Sequence, residues 1–180
     1  MTEDHETILR VRSGDTDAFR FLVRRYERPL VCMIRNMIAN PQTCEDIAQD
    51  VFVSAYQALG AYDPARCRFS TWLFTIARNK CLNALRRKSA GLMAELPERP
   101  DRHGPHDRLT EKELFGHLDA ALAALPLEQK TAFVLSELVG LSGVEISGIM
   151  NVPVGTIRSR LSRAKAALRE SLSRFAGGDA

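Results

Sequence analysis

Apolar residues recur at helical spacing along most of this chain, and the breaks in that pattern divide it. Residues 6–13 predict a short helix ending at Ser13-Gly14. Asp15 or Thr16 then caps a long amphipathic helix whose apolar face carries Phe19, Leu22, Tyr26, Leu30, Ile34, Met37 and Ile38. Pro29 falls inside it and is expected to bend it. Asn40-Pro41 is a turn, and Thr43 with Asp46 three places later predicts a capping arrangement for the next helix. That helix buries Ile47, Ala48, Val51, Phe52, Ala55 and Leu59, while Asp46, Gln49, Asp50 and Gln57 align on its other side. Such a line reads either as a solvated face or as a surface that docks a protein.

After Tyr62-Asp63-Pro64 comes the stretch Phe69 to Lys88, in which Arg78, Lys80, Arg86, Arg87 and Lys88 follow one another with no acid between. With Ser70 or Thr71 as N-cap, helical spacing turns Leu73, Ile76, Ala77, Ala84 and Leu85 toward a core. Thr75, Asn79, Asn83 and Arg86 then lie along another face, where amides suited to base edges sit among cations suited to phosphate. Phe69, Trp72 and Phe74 beside the cap offer rings on which unpaired bases can stack. Taken alone, the stretch fits a nucleic-acid surface and an ordinary core-plus-solvent helix about equally.

From 91 to 112 the periodicity dissolves among Pro97, Pro100, Gly104 and Pro105, predicting a linker. Some 20 extended residues reach roughly 70 Å, at about 3.5 Å each, comparable with two turns of DNA. Beyond it, Leu114, Leu118, Ala121, Leu122 and Leu125 mark a helix, and Pro126 opens another that runs with Phe133, Val134 and Leu138 to Gly140. Ser142 and Glu145 form a capping box, Asn151-Val152 makes a turn, and Pro153 starts a final helix. Two short helices around so tight a turn predict a helix-turn-helix. Its second helix buries Ile157, Leu161, Ala164, Leu168 and Leu172 and exposes Thr156, Arg158, Ser159, Arg160, Ser162 and Arg163, residues suited to guanine edges and phosphates. The other reading of that helix is a basic surface packed on an acidic partner.

Charge sharpens this picture. The net charge is only +3, yet Arg158, Arg160, Arg163, Lys165 and Arg169 fall in one acid-free run, with Glu128, Glu137 and Glu145 upstream of it. Two basic helices in separate parts of one chain predict two contacts with one polyanion. The composition, 45% hydrophobic and 26% charged, is that of a soluble globular protein, and 180 residues allow one domain or two small ones, each with a modest core. The acidic start MTEDHETILR and the lack of a long apolar run point to a cytoplasmic chain with no direct membrane insertion. Cys32, Cys44, Cys67 and Cys81 lie too far apart for a CxxC site and read as reduced, mostly buried residues, or at one position as a thiol sensor. No metal or cofactor is expected, and no catalytic set stands out, because the histidines are scattered and no P-loop or G-x-S-x-G occurs.

In this order the segments resemble the bacterial sigma-70-type sigma factors of the extracytoplasmic-function (ECF) group. Residues 44–59, CEDIAQDVFVSAYQAL, resemble region 2.2, and Phe69 to Lys88 resembles regions 2.3 and 2.4. Residues 122–142 resemble the start of region 4, and 152–172 resemble its recognition helix. The resemblance implies an all-α chain of two small helical domains, a sigma-2-like bundle over 1–90 and a sigma-4-like helix-turn-helix over 113–180, joined by a flexible linker over 91–112.

It implies further that the chain is no enzyme but binds core RNA polymerase and directs promoter-specific initiation. Asp46, Gln49 and Asp50 would dock on the β′ clamp helices, and the second domain would sit on the β flap. Phe69, Ser70, Thr71, Trp72, Arg78, Asn79, Lys80, Asn83, Arg86 and Arg87 would capture the melted −10 strand. Thr156, Arg158, Ser159, Arg160, Ser162 and Arg163 would read the −35 duplex. An anti-sigma factor, soluble or membrane-bound, would hold the protein inactive. Ser147-Gly148 departs from the family pattern of alanine followed by an acidic residue, and Gly143 stands where a larger residue is common. A mid-helix glycine costs up to about 1 kcal/mol against alanine, which predicts a helix that is less stable or more closely packed. A ligand-sensing helix-turn-helix regulator is the main alternative, set apart by its having no use for a stacking, basic helix after an acidic face. A helical nucleic-acid-processing enzyme would need clustered acids or a metal set.

Overall fold

In a computed structural model, residues 3–91 and 109–176 are described, with side chains over 3–87 and 116–173. The described residues are helices and the turns between them, with no strand among them. Of the linker expected over 91–112, residues 92–108 lie outside the described residues, while Gly91 ends one helix and 109–112 begin another.

Helix α1 (Glu3–Arg12) carries Glu3, Asp4 and Glu6 in its first turn and Arg10 and Arg12 in its last, matching its own dipole. Arg12 then ties it to the 3-10 turn that follows the third helix, donating from Nη2 to the Leu59 carbonyl at 2.7 Å and to the Tyr62 carbonyl. Asp15 caps a single 3-10 turn by accepting from the Ala18 N–H at 3.2 Å, as the pattern predicts, and leads into α2 (Phe19–Met37). Pro29 sits inside α2.

Helix α3 (Pro41–Gln57) starts earlier than the Thr43 and Asp46 pattern predicts. Its cap is Asn40, whose Oδ1 accepts from the Thr43 N–H at 2.9 Å, and Pro41 occupies the first turn. The reason is local: proline fixes the φ that a first turn requires and needs no N–H partner there, so Asn40-Pro41 is itself the helix start. Helix α4 (Phe69–Gly91) likewise begins ahead of the expected Ser70 or Thr71 cap, with the Trp72 N–H donating to the Arg68 carbonyl at 3.1 Å. Burial of Phe69 against Tyr26 and Tyr62 anchors that first turn.

The second half runs α5 (Leu109–Ala124), α6 (Leu127–Phe133), α7 (Gly143–Met150) and α8 (Val154–Ala176). Pro126 is the N-cap of α6 rather than a residue of its first turn. The uninterrupted helix expected up to Gly140 is also corrected, because α6 gives way to one π turn, Val134–Leu138, whose last carbonyl links close when the Val139 N–H reaches the Val134 oxygen at 3.0 Å. Gly140 then takes φ +80°, open to glycine, and redirects the chain.

The two halves do not keep separate cores. Leu73, Phe74, Ala77 and Cys81 of α4 belong to one continuous apolar cluster with Leu135 of the π turn, Ile146, Ile149 and Met150 of α7 and Ile157 of α8. A small second cluster, Ala121, Leu122, Leu125, Ala164 and Leu168, joins α5 to α8. Packing of α7 on α4, and of the α6 and π-turn segment on α2, makes the join. Among the described residues no helix is long and apolar enough to cross a membrane. Asn40→Ala is expected to lower unfolding stability by about 1 kcal/mol in denaturant titration, with α3 fraying at its start.

Candidate nucleic-acid and polymerase interface

Helix α4 presents two different sides. On one, Asn79, Asn83, Arg86 and Arg87 are exposed in a row, and Arg86 donates to the Asn83 Oδ1 at 2.8 Å, holding an amide and a guanidinium together. Lys80 is half-buried and its Nζ lies 3.7 Å from Asp50 Oδ2, linking this side to α3. On the other side Ser70, Thr71 and Arg78 face the second half of the chain. Ser70 Oγ lies 3.4 Å from Glu145 Oε1, Thr71 is buried, and Arg78 Nη2 donates to Glu128 Oε1 at 3.0 Å.

The three aromatic candidates separate as well. Phe74 and Phe69 are 1% and 2% exposed, so their rings serve as core in this arrangement. Trp72 alone keeps an accessible part, half-buried and braced by Tyr62 and Phe69 with ring centroids at 5.3 and 5.7 Å. Phe69 touches Tyr26 and Tyr62 as well, so it positions Trp72 from beneath rather than offering a free face. Of the positions expected in the core, Leu73 and Ala77 are buried, whereas Ile76, Ala84 and Leu85 are half-buried.

The helix-turn-helix is built by local hydrogen bonds. Ser142 Oγ accepts from the Glu145 N–H at 3.3 Å while Glu145 Oε2 accepts from the Ser142 N–H at 2.9 Å, the reciprocal pair of a capping box. Asn151 takes the left-handed conformation, φ 52° and ψ 49°, that ends α7. Ser147, one of the unusual residues of this helix, donates to the Val152 carbonyl at 2.6 Å and pins the turn. On α8, Arg158, Ser159, Ser162 and Arg163 are exposed, while Thr156 and Arg160 are half-buried. Burial of Ile157, Ala164 and Leu168 sets that rotation.

On α3 the row Asp46, Gln49 and Asp50 is exposed. The structure extends it with two apolar residues that the sequence reading did not single out, Val53 and Tyr56, 54% and 42% exposed. Their spacing from Gln49 continues the same helical face, which was the available signal. Also unforeseen are the acidic partners of the second half: Glu128, which meets both Arg78 and Arg160, and Glu137, 3.0 Å from Lys165. The clustering of acids upstream of the basic run was the trace they left in the sequence.

Comparison with known proteins follows these elements. Residues 22–91 match the family described as Sigma-70 region 2, and residues 116–168 match Sigma-70, region 4. The ECF RNA polymerase sigma factor SigW of Bacillus subtilis is 33% identical over 177 residues, covering 92% of this chain and 94% of that protein. The chain belongs to the ECF RNA polymerase sigma factors. The ECF RNA polymerase sigma-E factor of Escherichia coli K12 is 34% identical over 179 residues, covering 92% of each. Among solved structures, CnrH in complex with the cytosolic domain of CnrY superposes with TM-score 0.72 at 25% identity, covering 98% of this chain and 99% of that one. This sigma factor is thus a transcription initiation factor and not an enzyme, and α2 to α4 form its region 2.

Burial governs the titration of its reactive groups. Desolvation raises the thiols of Cys32 and Cys67 and pushes that of Cys81 up to about 12. The Cys44 thiol is buried and donates to the Ile38 carbonyl at 3.2 Å. For Glu145, burial works to raise the carboxyl, but the Ser142 hydrogen bonds, Arg68 and Ser70 outweigh it and leave it below the ordinary 4.5. A depressed carboxyl stabilises the fold above the ordinary value, and that contribution is lost as pH falls through the depressed one. Thermal melts should therefore show the wild type losing stability below about pH 4.5 more steeply than Glu145→Gln, which lacks the titrating group. Ser142→Ala should cost about 1 kcal/mol at neutral pH.

Proposed function

We propose that the exposed side of α4 captures the melted −10 strand and that α8 reads the −35 duplex in the major groove. The observation that carries this is the pairing of faces: Asn79, Asn83, Arg86 and Arg87 exposed beside a braced Trp72, and Arg158, Ser159, Ser162 and Arg163 exposed at the start of a helix-turn-helix second helix. Amides and a ring suit unpaired bases, cations suit phosphate, and arginine with serine suits base edges in a duplex. Ser70, Thr71, Arg78, Lys80, Thr156 and Arg160 join these contacts once the two halves separate, and Phe69 acts through Trp72.

Binding energy then does the work of opening DNA. Contact at −35 and anchoring on polymerase position the promoter, and capture of unstacked −10 bases offsets the few kcal/mol that unstacking costs. For the anchoring we assign Asp46, Gln49 and Asp50 on α3, continued by Val53 and Tyr56, to the β′ clamp helices, and the second half to the β flap. The domains run 1–90 and 113–180, with 91–112 as the linker between them. The protein works in the cytoplasm, and an anti-sigma factor, soluble or membrane-bound, covers these surfaces. Support for such control comes from relatives of the same fold, among them the sigma factor RpoE in complex with the anti-sigma factor NepR from Bartonella quintana, with TM-score 0.70.

Purified protein added to core RNA polymerase should confer initiation at a specific promoter set and bind single-stranded −10 DNA. Tight binding to duplex operators by the chain alone, with no association with core polymerase, would defeat the reading. Asp50→Arg should weaken polymerase association in a pull-down while leaving the melting curve nearly unchanged, and wild-type affinity would remove α3 from the interface. In the holoenzyme Arg158→Ala should cost about 1–3 kcal/mol at one −35 base pair if it reads an edge, whereas an equal loss on all sequences would make it a phosphate contact.

A further inference from the structure

Helix α1 lies ahead of the residues that match region 2, yet its side chains grip both ends of the aromatic cluster that carries Trp72. Asp4, Ile8 and Arg12 are spaced by four and so share one side of the helix. Ile8, 2% exposed, packs that side into the same core as Tyr62 and Phe69. At one end the Tyr26 hydroxyl donates to Asp4 Oδ2 at 2.5 Å, while Asp4 Oδ1 accepts from Arg25 at 2.6 Å. At the other, Arg12 Nη2 donates to the carbonyls of Leu59, Gly60 and Tyr62, around the 3-10 turn Leu59–Ala61. Carbonyls at such a helix end carry partial negative charge, and a guanidinium fork can hold several of them at once. The rings relay these two holds to one side chain. Tyr26 and Tyr62 flank Phe69 with centroids 5.5 and 5.7 Å from it, and Trp72 stands against Tyr62 and Phe69 at 5.3 and 5.7 Å. Tyr62 is fixed from a second direction, because its hydroxyl donates to the Cys67 carbonyl at 3.0 Å. Burial first, and the Asp4 hydrogen bond second, raise the Tyr26 phenol above its ordinary value, which keeps it a donor.

We propose that Arg12 and Asp4 of α1 are positioning residues for capture of the −10 strand: they hold Tyr62 and Tyr26, and through these and Phe69 they fix the accessible face of Trp72 on which a base stacks. The proposal rests on the assignment of Trp72 to DNA. A ring held in place before the base arrives has little rotamer freedom left to lose, so more of the stacking energy appears as affinity. Neither residue touches DNA, and neither belongs to the exposed row of α4. A clamp that served stability alone would tie α1 to the bundle without altering what Trp72 does.

The test uses the full chain, in which Trp72 is the single tryptophan, so intrinsic emission and its quenching by acrylamide report that ring alone. The DNA probe is a fluorescein-labelled non-template strand spanning the −10 element of a promoter from which the holoenzyme initiates, read by anisotropy well below every melting transition. Arg12→Gln should shift the Trp72 emission to the red, raise its quenching and weaken strand binding about three- to tenfold. Arg12→Lys, which keeps the charge and a donor but not the fork, should recover part of that loss. Tyr26→Phe keeps the ring and removes only its bond to Asp4; it should move both readings the same way, and it carries the test if Arg12→Gln fails to fold. Asn40→Ala, at the opposite end of α3 from Leu59, is the stability control and should leave both readings at wild type. Wild-type emission and affinity in folded Arg12→Gln and Tyr26→Phe overturn the proposal. So does a change in either reading without the other, or a loss of affinity that Asn40→Ala reproduces. Unchanged strand affinity in Trp72→Ala would instead strike at the assignment of Trp72 to DNA.

Discussion

Burial of Leu73, Phe74, Ala77 and Cys81 fixes the rotation of α4 about its own axis, and the remaining surfaces of the protein take their meaning from that angle. With these positions committed to the interior, the rest of the circumference divides into a side facing solvent, with Asn79, Asn83 and Arg86, and a side facing α7 and α6, with Thr71 and Arg78. A helix turning once every 3.6 residues has no further face to give. The same helix is therefore centre of the core, candidate strand-capturing surface and seat of the second half. A substitution at any buried position would disturb all three at once, since packing transmits the shift.

The elements most legible in the sequence were those whose determinants are local. The Ser142 and Glu145 capping box and the Asn151 turn were fixed by neighbours within a few positions, and the structure reproduces both. The Asp15 cap was equally readable. The starts of α3 and α4 were missed by a few residues because the deciding events were a proline in the first turn and the burial of Phe69 by Tyr26 and Tyr62, the second of these a tertiary effect. The π turn after α6 leaves no signature in apolar spacing, since one extra residue per turn shifts the period by less than a short window can reveal.

Most opaque was the meeting of the two halves. Basic and acidic clusters were visible as composition, but which cation finds which carboxylate depends on a fold-back across 50 residues between Arg78 and Glu128. Gly148 illustrates the same limit from the other direction. As sequence it is a helix weakened by about 1 kcal/mol. In the structure α7 lies so close to α4 there that an added Cβ would stand 3.2 Å from the Thr71 methyl. Ser147 next to it spends its hydroxyl on the turn, so these two of the three departures from the family pattern have a geometric setting.

The cysteines carry a different consequence. Two sulfurs lie in the interior, and burial holds the Cys32, Cys67 and Cys81 thiols in the protonated form, which attacks peroxides and disulfides poorly. Chemistry that begins at a thiolate is disfavoured at these three positions. At those three positions the sulfurs serve packing, filling space beside the aromatic and aliphatic side chains of the first half.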